Sequence, residues 1–254
     1  MKRLLALLFA VFLLAGCTGS GVPAVTTTAP TTAATTEATT QPQLSYEGLS
    51  AVFVGDSITY GVGTTNGNRY FEYLAEALDL GRIYPMGVSG SCYSTCSELG
   101  MDKQPLTQRA GLIPEADLIF IALGTNDMGR NTPLGTPEDT TDVSFYGAIH
   151  MVVSGLQKKY PDSRIILLTP CPRRDLETNK LGLKLTDYVE AVEAAARLLH
   201  VPCVDMYKPL AGYFSVENTE KYFPDRLHPN AAGHQLMADV LEEWLLENME
   251  AIIG

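Results

Sequence analysis

Basic residues are scarce in this chain. Its 254 residues include 18 Lys and Arg against 29 Asp and Glu, a formal charge of −11. With no basic stripe for a phosphate backbone, nucleic acid is excluded as a ligand, and charge-driven docking to anionic lipid is disfavoured. An uncharged ligand suits this balance better. Long apolar runs are also missing. The longest, Leu4–Leu14, falls well short of the roughly 20 residues that a membrane-spanning helix needs. Cysteine is thin, with five residues, and Cys92 and Cys96 form a Cys-x-x-x-Cys pair without a second cluster. That is a poor zinc signature, so no metal is expected, and nothing calls for a cofactor. Gly61-Val62-Gly63 lacks the strand-to-helix spacing of a dinucleotide loop. No internal repeat is visible.

What the N-terminus does contain reads as a leader. Lys2 and Arg3 precede the apolar Leu4–Leu14, the pattern of a secretory signal. Leu14-Ala15-Gly16-Cys17 resembles the lipobox of bacterial lipoproteins. The resemblance implies removal of residues 1–16, lipid attachment at Cys17, and anchorage to the bacterial membrane outside the cytoplasm. Simple secretion, with Cys17 an ordinary residue, is the alternative. Residues 17–45 follow as a distinct segment, with nine threonines between Thr26 and Thr40 and almost no charge. Too little apolar surface is present to offset the entropy of ordering, so a disordered tether is expected. Its r.m.s. reach is on the order of 30 Å. Residues 46–254 suit one domain with a single sizeable core.

Within that domain, five short apolar runs alternate with helical patterns. The strand candidates are Ala51–Val54, Arg82–Met86, Leu118–Leu123, Arg164–Leu168 and Cys203–Met206. Tyr70, Leu74 and Leu78 recur at helical spacing, as do Ile149, Val153 and Leu156, then Tyr188, Val192, Ala195 and Leu199. The last helix is expected to turn Leu236, Val240, Trp244 and Leu245 inward. Alternation of this kind gives an α/β fold with a parallel sheet between helical layers, its strands buried on both sides.

The strand ends carry the chemistry. Val52-Phe53-Val54-Gly55-Asp56-Ser57 reads as a buried strand ending in a sharp turn that presents a serine. Gly90 lies after the second strand and Asn126 after the third, and Asp225 and His228 lie in a loop beyond the fifth. All would gather at the carboxyl edge of one sheet, where ligand sites lie in such folds. Asp225 stands three residues before His228, which Pro229 follows, so its carboxylate can reach one imidazole nitrogen and leave the other for Ser57. Nucleophile, base and orienting carboxylate are the parts of a serine-based acyl-transfer site. A glycine N–H and an asparagine amide suit a developing oxyanion. Each piece has a plainer reading: Ser57 as a helix N-cap, Gly90 as a turn glycine, Asn126 as a self-bonded loop residue. Asp56 directly adjoins Ser57 and is assigned a positioning role. His150, His200 and His234 read as packed or solvated. Cys92 and Cys96 are close enough to pair, or one helical turn apart, and Cys171 and Cys203 read equally as small buried hydrophobes. At most one disulfide is expected. Without Gly-x-Ser-x-Gly, the α/β-hydrolase fold is disfavoured.

These blocks resemble the SGNH hydrolase superfamily, the GDSL-type esterases and lipases. Gly55-Asp56-Ser57-Ile58 is similar to its nucleophile block, with Ile58 where leucine is common. Gly87-Val88-Ser89-Gly90, Gly124-Thr125-Asn126-Asp127 and Asp225-Arg226-Leu227-His228-Pro229 are similar to the other three. The second block often follows an asparagine, and here Pro85 and Met86 stand there instead. The resemblance covers most of residues 50–245. It implies a flavodoxin-like three-layer α/β/α sandwich with strand order 2-1-3-4-5. It implies ester hydrolysis by Ser57, His228 and Asp225, with an oxyanion hole from Ser57, Gly90 and Asn126. The expected substrate is a small-molecule or polysaccharide ester, with acetyl esters of carbohydrates favoured by the extracytoplasmic location. A lysophospholipase or thioesterase with the same triad is one rival, and a non-catalytic surface-binding module is the other.

Overall fold

The computed structural model describes residues 44–95, 105–215 and 218–254. The expected leader, Cys17, all of the tether except Leu44 and Ser45, and Cys96 lie outside the described residues. Five strands, β1 (Ala51–Gly55), β2 (Ile83–Gly87), β3 (Leu118–Ala122), β4 (Arg164–Leu168) and β5 (Cys203–Val204), form one parallel sheet. Their order is β2-β1-β3-β4-β5, as expected. The described helices are α1 (Ser57–Tyr60), α2 (Tyr70–Ala77), α3 (Leu106–Arg109), α4 (Thr125–Gly129) and α5 (Phe145–Lys159). They continue with α6 (Leu185–Leu198), α7 (Tyr207–Ala211), α8 (Thr219–Tyr222), α9 (Ala231–Glu247) and α10 (Met249–Ile253).

Alternate residues along each strand feed two cores, one on each face of the sheet. Val52, Val54, Ile119, Ile121, Ile165 and Leu167 pack toward α5 and α6. Phe53, Phe120, Ile166 and Leu168 pack toward α2 and α9, and the Phe53 ring stacks on Phe120 at 4.9 Å and on Phe71 at 5.2 Å. This two-sided burial makes the three layers. Tyr46 is buried, and its hydroxyl donates to the Leu245 carbonyl at 2.9 Å.

Three expectations need correction. Strand β2 is not buried on both sides: every residue in it is partly or fully exposed. It is an edge strand, where Pro85 costs no ladder bond. In α9 the buried stripe is His234, Met237, Ala238, Leu241 and Leu245, while Leu236, Val240 and Trp244 are only partly buried. Leu245 faces inward as expected, but the row of Leu236, Val240 and Trp244 lies one residue out of phase because two adjacent rows of α9 are apolar, and packing against α2 selects between them. Strand β5 also ends early, since Asp205 accepts from the Tyr207 and Lys208 N–H groups at 2.9 and 3.0 Å and starts α7.

Register sets the site. Gly55 pairs with both Gly87 and Ala122, and Ala122 with Leu168, so four strands end at one level. Strand β1 lies between β2 and β3, where the chain's direction of progress across the sheet reverses. Loops on either side of such a switch point diverge and leave a crevice.

Candidate active site

Asp56, not Ser57, caps the helix that leaves β1. Its Oδ1 accepts from the Ile58 N–H at 2.9 Å, and Ser57 is the first residue of α1. The plainer reading of Ser57 as a cap is thereby set aside. Ser57 is 6% exposed, and its Oγ lies 2.9 Å from His228 Nε2. On the other side of the imidazole, Nδ1 lies 2.6 Å from Asp225 Oδ2. Asp225 Oδ1 meanwhile accepts from the Leu227 and His228 N–H groups at 3.0 and 2.6 Å. The carboxylate needs a donor at Nδ1, which fixes the tautomer that leaves a lone pair on Nε2 toward the serine.

The loop that carries these groups is held at several points. Arg226 has a left-handed backbone (φ +68°), which folds Leu227 and His228 back over the carboxylate. Gly63, at φ +92°, lies against the following residue: a Cβ there would stand 2.8 Å from the Pro229 carbonyl oxygen. Asn230 then caps α9 by accepting from Gly233 N–H at 3.1 Å. One turn on, His234 Nδ1 accepts the Tyr70 N–H at 3.2 Å, satisfying an orphan donor at the start of α2. The Tyr70 hydroxyl lies 3.0 Å from Thr59 Oγ1 in α1. His234 is thus buried between α2 and α9, not on a substrate rim, and links the helix after the histidine loop to the serine helix.

The candidate oxyanion donors surround Ser57. Gly90 has φ +75° and ends in a turn closed by Ser91 N–H on the Val88 carbonyl at 2.9 Å. Among the described residues, neither the Ser57 nor the Gly90 N–H has a hydrogen-bond partner. Asn126 Nδ2 sits 3.2 Å from Asp56 Oδ2 and 3.1 Å from the Ser91 carbonyl. These long bonds hold the amide at the site and leave it able to share a proton with an oxyanion. Asp127 is fully buried and accepts from the Tyr93 and Ser94 N–H groups at 2.9 and 3.2 Å, fixing the chain beyond Gly90.

Sequence reasoning missed Arg109. It is 6% exposed, and its Nη2 donates to Ser91 Oγ at 2.7 Å and to the Gly55 carbonyl at 3.4 Å. Nη1 reaches the Met86 carbonyl at 3.5 Å. One guanidinium therefore ties the ends of β1 and β2 to the loop containing Gly90. Arg109 belongs to none of the four blocks, and only the chain's return to this edge reveals it.

Burial pushes the Asp56 carboxyl up to about 6, against the opposing pull of the Ile58 N–H and the charges of His228 and Arg173. Burial likewise raises Asp127 to about 6. Asp225 differs: burial raises its pKa, but its bonds from the His228 ring and from two N–H groups outweigh that and leave it below the usual carboxylate range. An acid whose folded pKa exceeds its unfolded one costs stability as pH rises from the unfolded value through the folded one. Asp56 and Asp127 therefore each withdraw stability between roughly pH 4 and 6.

Among the described residues, no group of three His, Cys, Asp or Glu side chains could hold a metal ion. Cys92, Cys171 and Cys203 are free thiols.

The fold is a three-layer α/β/α sandwich, and the Ser57, His228 and Asp225 side chains meet at the carboxyl edge of its parallel sheet, the arrangement expected of an ester-hydrolysing enzyme. Residues 53–236 match the model of the GDSL-like lipase/acylhydrolase family, and the chain belongs to that family. A solved structure of a protein from Lactobacillus plantarum is similar at 30% identity with a TM-score of 0.70, over 81% of this chain and 99% of that one. A possible lipase from Chitinophaga pinensis is similar in fold at 22% identity and TM-score 0.60, over 78% of this chain and 98% of that one. A mutant acetyl-xylooligosaccharide esterase from a Geobacillus shares the fold at 22% identity and TM-score 0.56, over 78% and 94%. No curated protein sequence matches the chain.

Two outcomes follow from the buried charges. The acid limb of the pH profile of kcat/KM should contain an ionisation near pH 6 that Asp56→Asn removes, because protonated Asp56 no longer orients the Asn126 amide by charge. An acid limb identical in wild type and Asp56→Asn contradicts that role. Arg109→Met should lower kcat by about 10- to 100-fold with little change in KM, since the loop it holds carries the candidate oxyanion donor Gly90. An equal rise in KM with unchanged kcat would assign Arg109 to substrate binding instead.

Proposed function

We propose that the chain is an extracytoplasmic serine esterase that removes short acyl groups, acetyl above all, from carbohydrates. The observation that carries this reading is the continuous line of hydrogen bonds from Asp225 through His228 to Ser57. His228 Nε2 takes the Ser57 proton as Oγ attacks the ester carbonyl. The N–H groups of Ser57 and Gly90, with the Asn126 amide, receive the oxyanion. Collapse of the tetrahedral intermediate expels the alcohol, which takes the proton back from His228. Water, deprotonated by the same nitrogen, then releases the acid and frees Ser57. Asp225, kept ionised by its three donors, stabilises the imidazolium throughout.

Fold similarity to an acetyl-xylooligosaccharide esterase supports the same substrate class. The location rests on the leader and on Leu14-Ala15-Gly16-Cys17, with Thr-rich residues 17–45 as the tether of a lipid-anchored head.

Activity should decline steadily from acetyl to octanoyl p-nitrophenyl esters. Ser57→Ala should lower kcat on the acetate by at least about 10⁴-fold in a protein with an unchanged circular dichroism spectrum. Retained turnover in that variant would discard the mechanism, and faster cleavage of the octanoyl ester would favour a lysophospholipase or thioesterase. In bacterial cells the full chain should incorporate labelled palmitate and sediment with membranes, and Cys17→Ser should do neither. Equal labelling of the two would remove Cys17 as the anchor.

A further inference from the structure

A cleft of about 640 Å³ opens beside the catalytic loop, lined by Arg174, Glu177, Glu220 and Arg226 with Leu176 and Pro224 between them. We propose that this cleft is a saccharide subsite, holding the sugar of the ester while its acyl carbonyl lies at Ser57. The inference rests on the esterase reading above and adds where the carbohydrate binds and through which side chains.

Arg226 lies between Asp225 and His228, and its carbonyl accepts the Arg174 N–H at 2.9 Å, so one wall of the cleft is joined to the histidine loop. At the cleft floor, the nearly buried Arg173 side chain donates from Nη1 to the Thr125 carbonyl at 2.7 Å, one residue before Asn126. The cleft therefore borders the proton-transfer side and the oxyanion side of the site at once. Arg226 pays a conformational cost for its left-handed backbone that glycine would not, yet it contributes a guanidinium to this wall.

Arg173 is already paired with Asp175. Among the described residues, the side chains of Arg174, Glu177, Glu220 and Arg226 make no hydrogen bond or ion pair. Guanidinium groups only donate and carboxylates only accept. An acyl chain laid here would desolvate four charges and return nothing. A simple anion would satisfy the arginines and meet two carboxylates. A sugar hydroxyl both donates and accepts, so a polyhydroxylated ligand answers both kinds of group, and Leu176 and Pro224 offer it an apolar surface. The volume lies within the roughly 300–1,000 Å³ of small-molecule sites and greatly exceeds what an acetyl group needs.

The test compares O-acetylated xylotriose with p-nitrophenyl acetate, whose alcohol has no hydroxyls to engage the cleft. In the double variant Arg174→Ala/Glu220→Ala, and separately in Arg226→Gly, which keeps the left-handed backbone, the ratio of kcat/KM for the saccharide to that for p-nitrophenyl acetate should fall at least about tenfold. A rise in KM for the saccharide should carry most of the change. A ratio within about twofold of wild type in both variants, below what one lost charged hydrogen bond produces, overturns the subsite and leaves the esterase reading intact. Wild-type cleavage of p-nitrophenyl acetate without cleavage of the saccharide overturns the carbohydrate substrate and the subsite with it.

Discussion

The hydrogen bond between His228 Nε2 and Ser57 Oγ joins groups 171 residues apart, and much of the fold serves to hold its two ends at 2.9 Å. Ser57 is fixed by the end of β1 and the Asp56 cap. His228 belongs to a loop that no strand supports. Its position instead comes from contacts that return to the serine side: Gly63 against Pro229, and α9 against α2. Hydrogen bonds from His234 through Tyr70 to Thr59 form one of these links. A small shift between α2 and α9 would open the Ser57–His228 distance, and proton transfer depends on hydrogen-bond reach.

The carboxyl edge of the sheet concentrates buried charge. Asp56 and Asp127 are buried with raised pKa values, and Arg109 is buried with only its Nη groups bonded, its Nε lacking a partner among the described residues. Such groups are poor choices for stability alone, because desolvation offsets their attraction. What they provide is orientation. Asp56 and the Ser91 carbonyl hold the Asn126 amide, Asp127 holds the backbone at Tyr93 and Ser94, and Arg109 holds Ser91. Stability is surrendered where transition-state geometry must be fixed, as expected at a preorganised site.

The fold class and the residues gathered at the sheet edge were legible because they depend on local pattern, whereas the strand order came with the resemblance of the four blocks. Apolar runs mark strands, and Gly-Asp-Ser and Asp-x-x-His are short-range arrangements whose geometry is nearly set by spacing. What was illegible depends on packing between distant segments. The inward stripe of α9 could not be chosen from two neighbouring apolar rows without α2 in place. The edge position of β2 follows from topology, although Pro85 within it was a local hint. Arg109 looks like any helix-end arginine in sequence, and His234 like a solvated or packed one. Their roles arise from partners 18 and 164 residues away. The cleft beside Arg226 was equally hidden, because its lining comes from two stretches separated by some forty residues.

The central claim is that Ser57 is a nucleophile activated by His228. Its most direct test is labelling of the folded protein with a fluorophosphonate, which transfers its phosphonyl group to an activated serine Oγ with loss of fluoride. Mass analysis should find stoichiometric modification on the peptide containing Ser57, with labelling lost in His228→Ala. An unmodified Ser57, or a label of equal extent in His228→Ala, would contradict the account.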